Sequence, residues 1–157
     1  MSFFSKNDII EMALKMEQNG YAYYDMALQK TELPKEAVSI LTRLRDEEKK
    51  HEQTFLELRT KIDDLELTDS ASWADAQLYI ESIIESHVFN SEEAAIKLAQ
   101  NAKTREELLQ HAIQFEKDTI LFFFSIARHI ENHKAKDALD QIINEEASHI
   151  RILRSLI

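Results

Sequence analysis

Glu48 and His51 lie three residues apart within DEEKKH, and Glu146 and His149 repeat the spacing within NEEASH. Residues at i and i+3 share a helix face, so each pair can offer one carboxylate and one imidazole to a single ion. A lone glutamate precedes each pair at nearly the same distance, 31 residues from Glu17 to Glu48 and 30 from Glu116 to Glu146. Four carboxylates with one imidazole per ion suit a pair of iron or manganese ions, because glutamate oxygens can bridge two cations and imidazole nitrogen stabilises a redox-active first-row metal. A single E-x-x-H is weak, since about one match is expected by chance in a chain this rich in glutamate with six histidines. Two matches, each with its own upstream glutamate, form an internal repeat and point to two similar half-sites.

Such spacings need long helices to carry them. With 157 residues the chain is long enough for one domain with a real core and too short for two, so a single domain over 1–157 is expected. One Gly, one Pro and abundant Ala, Leu, Ile, Glu and Lys predict an all-α chain. The first helix is expected from about Ser5, which can cap it together with Asp8, to about Lys30. Pro34 suits the first turn of a second helix ending near Ile62. A third long helix opens at Thr104, with Glu107 completing a capping box, and runs towards Glu131. Asn132 and His133 then make a short turn before a fourth helix from about Lys136 to Leu156. Residues 63–103 connect the two hairpins and carry shorter helices near Trp73 to His87 and Ser91 to Gln100. That crossover lets the second and third long helices run parallel, giving a four-helix bundle of two antiparallel hairpins.

Each long helix has a mainly apolar seam at heptad spacing: Ile10, Ala13, Glu17, Gly20, Tyr24, Ala27; Leu41, Leu44, Glu48, His51, Phe55, Leu58, Ile62; Leu109, Ala112, Glu116, Thr119, Phe123, Ile126, Ile130; and Leu139, Ile142, Glu146, His149, Leu153, Leu156. A glutamate interrupts every seam near its middle, and these side chains are expected to point inward. An unpaired carboxylate in a core costs several kcal/mol, so four converging ones oppose folding unless protons or cations compensate, and two divalent ions balance four carboxylates. The midpoint between Glu17 and the Glu48–His51 pair falls at the Leu33-Pro34 break, and that between Glu116 and the Glu146–His149 pair at the second turn near residue 132. Each lone glutamate therefore sits level with its E-x-x-H partner across an antiparallel pair.

Glu47 and Glu145 fall off the inner seam and read as solvated, unless a shifted register makes one of them a ligand. Tyr24, two turns beyond Glu17 on the same face, is placed to hydrogen-bond a ligand carboxylate or to shuttle a proton, or equally to pack as a core aromatic. Phe123 holds the equivalent place after Glu116 without a hydroxyl, so a tyrosine role is one-sided. His87, His111, His129 and His133 have no matched partners and read as surface or boundary residues. Trp73 and Phe122 to Phe124 read as packing, and the crossover helix with Ile80, Ile83 and Ile84 either covers the bundle or joins a second subunit.

A formal charge of −10 with no local basic cluster would repel a phosphate backbone, so nucleic acid is not expected as a partner. The absence of cysteine excludes disulfides, zinc ribbons, cysteine-ligated iron–sulfur or rubredoxin-type centres, and thiol nucleophiles. The start MSFFSKNDII lacks a basic segment followed by an apolar one, and no apolar run approaches the ~20 residues of a membrane span, so no membrane association and a cytoplasmic location are expected.

Through A-L-K-M-E at 13–17, E-K-K-H at 48–51, A-I-Q-F-E-K-D at 112–118 and E-A-S-H at 146–149, the chain resembles rubrerythrins and the wider ferritin-like superfamily. The segment F-E-K-D-T-I-L-F-F is more similar to the rubrerythrin branch than to bacterioferritins. The resemblance implies two iron ions per chain, with manganese as an alternative, held by Glu17, Glu48, His51, Glu116, Glu146 and His149. It implies a di-iron oxidoreductase that reduces hydrogen peroxide. Full-length rubrerythrins carry a rubredoxin module, which a chain without cysteine cannot have, so the electrons are expected from a separate rubredoxin-type donor. Thr119 stands where rubrerythrins have an additional glutamate, and Lys49 where bacterioferritins have a haem-binding methionine, so no haem is expected. A homodimer or larger homo-oligomer is implied. Ferroxidase activity with iron storage, with oxygen as oxidant, and a metal-free helical interaction module remain the alternatives.

Overall fold

Four helices among the described residues begin where a side chain takes up one of the first free N–H groups. In the computed structural model, which describes residues 4–30, 32–61, 70–88 and 90–157, Ser5 caps α1 (Lys6–Leu28). Its hydroxyl accepts from the Asp8 N–H at 3.2 Å while the Asp8 carboxylate accepts from the Ser5 N–H at 2.7 Å, the reciprocal box expected from the sequence. Pro34 stands at the cap of α2 (Lys35–Thr60). Ser91 caps α4 (Glu92–Asn101) and Thr104 caps α5 (Arg105–Ala127), each hydroxyl accepting from the N–H three residues on. The box at α5 does not close as expected, because the Glu107 carboxylate accepts instead from the N–H of Lys103, at 2.8 Å. The last helix, α6 (His133–Arg154), starts before the expected Lys136: the Asn132 side-chain oxygen accepts from the Ala135 N–H at 3.0 Å, which makes Asn132 a cap and His133 the first helical residue. The crossover carries α3 (Ser70–Ser86) and α4. Ile62 and residues 63–69 of the expected crossover lie outside the described residues.

The six helices among the described residues form an all-α bundle, with α1 packed along α2 and α5 along α6. Across the first hairpin Glu11 pairs with Arg59, Gln18 with Glu52 and Asp25 with Arg45, steps of seven that rise on α1 as they fall on α2, as antiparallel helices require. Between the hairpins α2 meets α6, where His51 contacts Glu145 and His149 contacts Glu47, again antiparallel. With α5 and α6 folded back on one another, α2 and α5 run parallel, the arrangement that the long crossover permits. Within that crossover α4 lies on α1 and α3 on α5. Ile80 and Ile83 are buried in the core, so α3 covers the bundle. The Trp73 ring N–H and the Gln77 amide both donate to the Phe4 carbonyl at 3.3 Å, tying the start of the described chain to the crossover. No helix among the described residues is long and apolar enough to cross a membrane.

The core is divided in two. One apolar cluster is built on Ile9, Ile10, Phe55, Phe122, Phe123, Ile126, Leu139 and Ile142. The other is built on Tyr23, Tyr24, Leu41, Leu44, Leu108, Leu109, Phe115 and Leu153. Along every long helix the interrupting glutamate falls between residues of one cluster and residues of the other. The expected seams are therefore the buried faces, and a layer of charge separates two greasy halves. One aromatic expected to pack inside does not: Phe124 is half-exposed, stepping off the face that holds Phe122 and Phe123.

Candidate metal centre

Glu17 on α1, Glu48 and His51 on α2, Glu116 on α5, and Glu146 and His149 on α6 all reach the polar layer, and none is more than 2% exposed. Two groups among the described residues bring donor atoms close enough to share an ion: Glu17, Glu48, His51 and Glu146, and Glu48, Glu116, Glu146 and His149. Glu48 and Glu146 belong to both, and both come from the E-x-x-H pairs. His51 Nδ1 lies 3.3 Å from Glu17 and 3.0 Å from Glu146. His149 Nδ1 lies 2.7 Å from Glu146, 3.4 Å from Glu116 and 3.7 Å from Glu48. The two imidazoles stack with ring centres 5.8 Å apart.

Glu47 and Glu145, read from the sequence as solvated, instead brace the histidines. His51 Nε2 lies 2.8 Å from a Glu145 oxygen and His149 Nε2 lies 2.7 Å from a Glu47 oxygen. Each brace crosses from one E-x-x-H helix to the other. A carboxylate accepts there, so Nε2 carries a hydrogen and Nδ1 is the nitrogen turned to the polar layer, where it would bind an ion once its own proton leaves, the arrangement that fixes a metal-ligating histidine. The doubled glutamate in E-E-x-x-H was the available signal: a residue one step before an inward-facing glutamate lies 100° round the helix, on the flank that meets a neighbouring helix.

The donors fit cations better than they fit one another. Both oxygens of Glu17, Glu48 and Glu146, the Oε2 of Glu116, and Nδ1 of both histidines are buried without a well-aligned hydrogen bond, the Nδ1–carboxylate contacts of 2.7–3.7 Å included. Uncompensated burial of this kind is expensive, and a pair of divalent ions would take a ligand atom from each of these six residues. Without metal the layer must hold protons. Burial raises the carboxyls of Glu17 and Glu48 above their usual range. Burial and the charge of Glu146 push Glu116 up to about 8. Burial also opposes ionisation of Glu146, yet contact with His149 and His51 prevails and lowers it. Burial alone would lower the two imidazoles, but the neighbouring carboxylates outweigh it and hold His51 up to about 12 and His149 up to about 11.

Three further residues shape the layer. Tyr24 is fully buried and its hydroxyl donates to Oε1 of Glu116, across the bundle from its own helix. Phe123, its counterpart, packs on Phe55 with ring centres 5.1 Å apart. Gly20, the only glycine in the chain, has no room for a side chain: a Cβ there would lie 2.5 and 2.7 Å from Phe115 ring carbons and 2.6 Å from Glu48 Oε2. A mid-helix glycine costs about 1 kcal/mol relative to alanine, and that cost was the sequence signal of a close approach.

His87 departs from its expected surface position. It is buried at the end of α3, with Nε2 3.3 Å from the Thr119 hydroxyl and its ring edge-on to Phe115. Thr119 is itself fully buried one turn beyond Glu116. His129 stacks edge-on with Trp73 and His133 is exposed, both away from the layer. His111 is half-buried on α5 and belongs to neither group of donors.

Comparison with curated proteins and with solved structures finds no match. A family model for the ferritin-like domain matches residues 5–157, and with its bundle of helices around a buried layer of glutamate and histidine the chain belongs to that family.

Proposed function

We propose that the protein is a di-iron oxidoreductase of the rubrerythrin type, reducing hydrogen peroxide to water with electrons from a separate donor. The observation that carries this reading is the pair of overlapping donor groups that share Glu48 and Glu146. In this reading Glu17, Glu48, His51 and Glu146 hold one ion, and Glu48, Glu116, Glu146 and His149 hold the other. Two iron ions there would supply one electron each, enough with two protons to convert one hydrogen peroxide into two waters.

The chain's own residues prepare the site for that chemistry. Glu47 and Glu145 fix the ring orientation of the histidines, so both Nδ1 atoms stay aimed at the layer through a change of metal charge. The apolar clusters on either side exclude water and strengthen every electrostatic contact within. Tyr24 holds a proton on its hydroxyl directly at Glu116, placed to pass it on as the carboxylate shifts. In this reading the electrons come from a separate donor, since these 157 residues contain no cysteine with which to build a rubredoxin-type centre.

The test is anaerobic loading with Fe(II) followed by rapid mixing with hydrogen peroxide or with oxygen, reading ferric absorption in the near ultraviolet. Oxidation much faster with peroxide, saturating at two irons per chain, is the expected result. Faster oxidation by oxygen with continued uptake of iron, in a particle large enough to enclose a mineral, would replace this reading with ferroxidase and storage.

A further inference from the structure

We infer that His87 and Thr119 form a gate through which small uncharged hydrogen-bonding molecules, water and hydrogen peroxide, reach the metal layer from the side of α1 and α5. The inference rests on the di-iron reading above and adds to it a route and the residue that controls it, a histidine brought to the bundle by the crossover.

Buried polar side chains mark where the layer connects outward. The apolar clusters close it above and below. Between α2 and α6 the gap is taken by the Glu47 and Glu145 braces, and between α1 and α2 Gln18 and Lys49 both donate to Glu52, at 2.9 and 2.5 Å. Of the other buried polar residues that are not ligands, Gln77 and Ser125 donate to backbone carbonyls. Asn19, His87 and Thr119 instead gather between α1, α5 and the end of α3. Asn19 and His87 line a recess of about 70 Å³ that Lys15, Ile84 and Asn90 also border. That is ample for a water or a peroxide, since a water takes about 30 Å³. From the recess His87 Nε2 reaches to 3.3 Å from the Thr119 hydroxyl, and its ring stands edge-on to Phe115. Thr119 lies one turn beyond Glu116, and Phe115 is the ring that crowds Gly20 beside Glu48. One side chain, His87, therefore stands between the recess and the layer. A contact of 3.3 Å is long for a hydroxyl and an imidazole, so an entering molecule can replace it with bonds of its own at little cost. None of the three side chains is a carboxylate, so a cation that shed its water there would find no compensating charge, whereas an uncharged molecule needs none. The backbone around the gate is held: the His87 N–H donates to the Ile84 carbonyl at 3.3 Å and the Val88 N–H to Asp118 Oδ2 at 3.0 Å, so the imidazole can turn while the chain stays in place.

The experiment compares wild type with His87→Phe, His87→Ala and Thr119→Val. Each is loaded with Mn(II), to read the relaxation of solvent water protons by the metal, and separately with Fe(II), for rapid mixing with hydrogen peroxide. Filling the gate with phenylalanine, or removing its hydroxyl with valine, should lower the relaxation enhancement and slow oxidation by ~10-fold, the size of one lost hydrogen-bonded step. His87→Ala leaves the gate open and should match or exceed wild type in both. Thr119→Val keeps the shape of threonine and carries the test if His87→Phe fails to fold. All three should still hold two metals per chain by equilibrium dialysis. Unchanged relaxation and oxidation in folded His87→Phe and Thr119→Val would overturn the inference. So would an equal loss in His87→Ala, which would make His87 a proton donor and not a gate. Oxygen outpacing peroxide in wild type, with water relaxation still following the variants, would overturn the peroxidase reading and leave the route standing. Failure of wild type to bind Mn(II) or Fe(II) at all would overturn the metal centre itself and this inference with it.

Discussion

Replacing Gly20 by alanine adds one methyl group to the middle of α1, at the point where the polar layer comes closest to a helix backbone. In an open helix the change stabilises by about 1 kcal/mol. Here the new carbon would meet Phe115 ring carbons at 2.5 and 2.7 Å and Glu48 Oε2 at 2.6 Å, so the ring and the carboxylate must both give way. Overpacking of this degree costs about 1–3 kcal/mol. The net change should lie between neutral and a loss of about 2 kcal/mol, a fall in Tm of no more than ~8 °C for a chain of this length. Metal binding should suffer far more than stability, because Glu48 belongs to both donor groups. Loss of a supporting hydrogen bond to a ligand weakens binding ~10–100-fold, and displacing a shared ligand should weaken the binding of both ions at least that much. Equilibrium dialysis against Fe(II) or Co(II), with thermal melts in parallel, separates the two effects. A Gly20→Ala protein that melts within a few degrees of wild type and still holds two metals per chain at wild-type affinity would refute the reasoning.

Other perturbations should separate ligands from bystanders. Glu116→Ala and His149→Ala should lower metal content and peroxide-dependent oxidation, while His133→Ala, on an exposed residue, should change neither; equal losses in all three would show the ligand assignment to be wrong. Glu47→Ala and Glu145→Ala should each weaken metal binding ~10–100-fold by releasing a histidine ring, measurable by competition with a chelator, and an unchanged affinity would show that the braces are incidental. Metal-stripped protein should lose stability as the pH rises from about 5 to about 8. Glu116 has its folded pKa raised to about 8, so its contribution is whole below its ordinary value and lost as pH rises through 8; Glu17 and Glu48 act in the same sense. The raised histidines add to the decline above their ordinary value of 6.5, whereas the lowered Glu146 contributes fully above 4.5 and does not oppose it within this window. Melting curves at each pH provide the check, and a flat or rising Tm would contradict the picture of protons standing in for cations. Loading metal at neutral pH should correspondingly release protons, read as a buffer-dependent heat of binding; a heat independent of the buffer would mean that the layer is already deprotonated.

Heptad seams made the four long helices legible, because burial of one face per helix imposes a period that any reader of the chain can find. The inward glutamates stood out for the same reason, each being a charge on an apolar stripe. Helix ends were legible where a cap is local, as at Ser5 with Asp8. They were less so at Asn132, where the carboxamide starts α6 earlier than the run of apolar residues would. The Glu48–His51 and Glu146–His149 pairs were legible from spacing, since residues at i and i+3 must share a face, and Glu17 and Glu116 from their places on apolar seams. What surrounds them was not available from spacing. Glu47 and Glu145 look solvated until α2 is laid against α6, and only that contact turns each towards the histidine of the other helix. His87 lies far from Thr119 in sequence, and only the docking of the crossover on α5 buries it there. The sequence by itself determined a helical bundle with an inward layer of carboxylates and imidazoles, because those follow from periodicity along single helices. The tertiary structure alone decided which glutamates are shared, which histidine each brace holds, why residue 20 has no side chain and which carboxylate Tyr24 holds, because each of these is a contact between helices whose distance no period along the chain encodes.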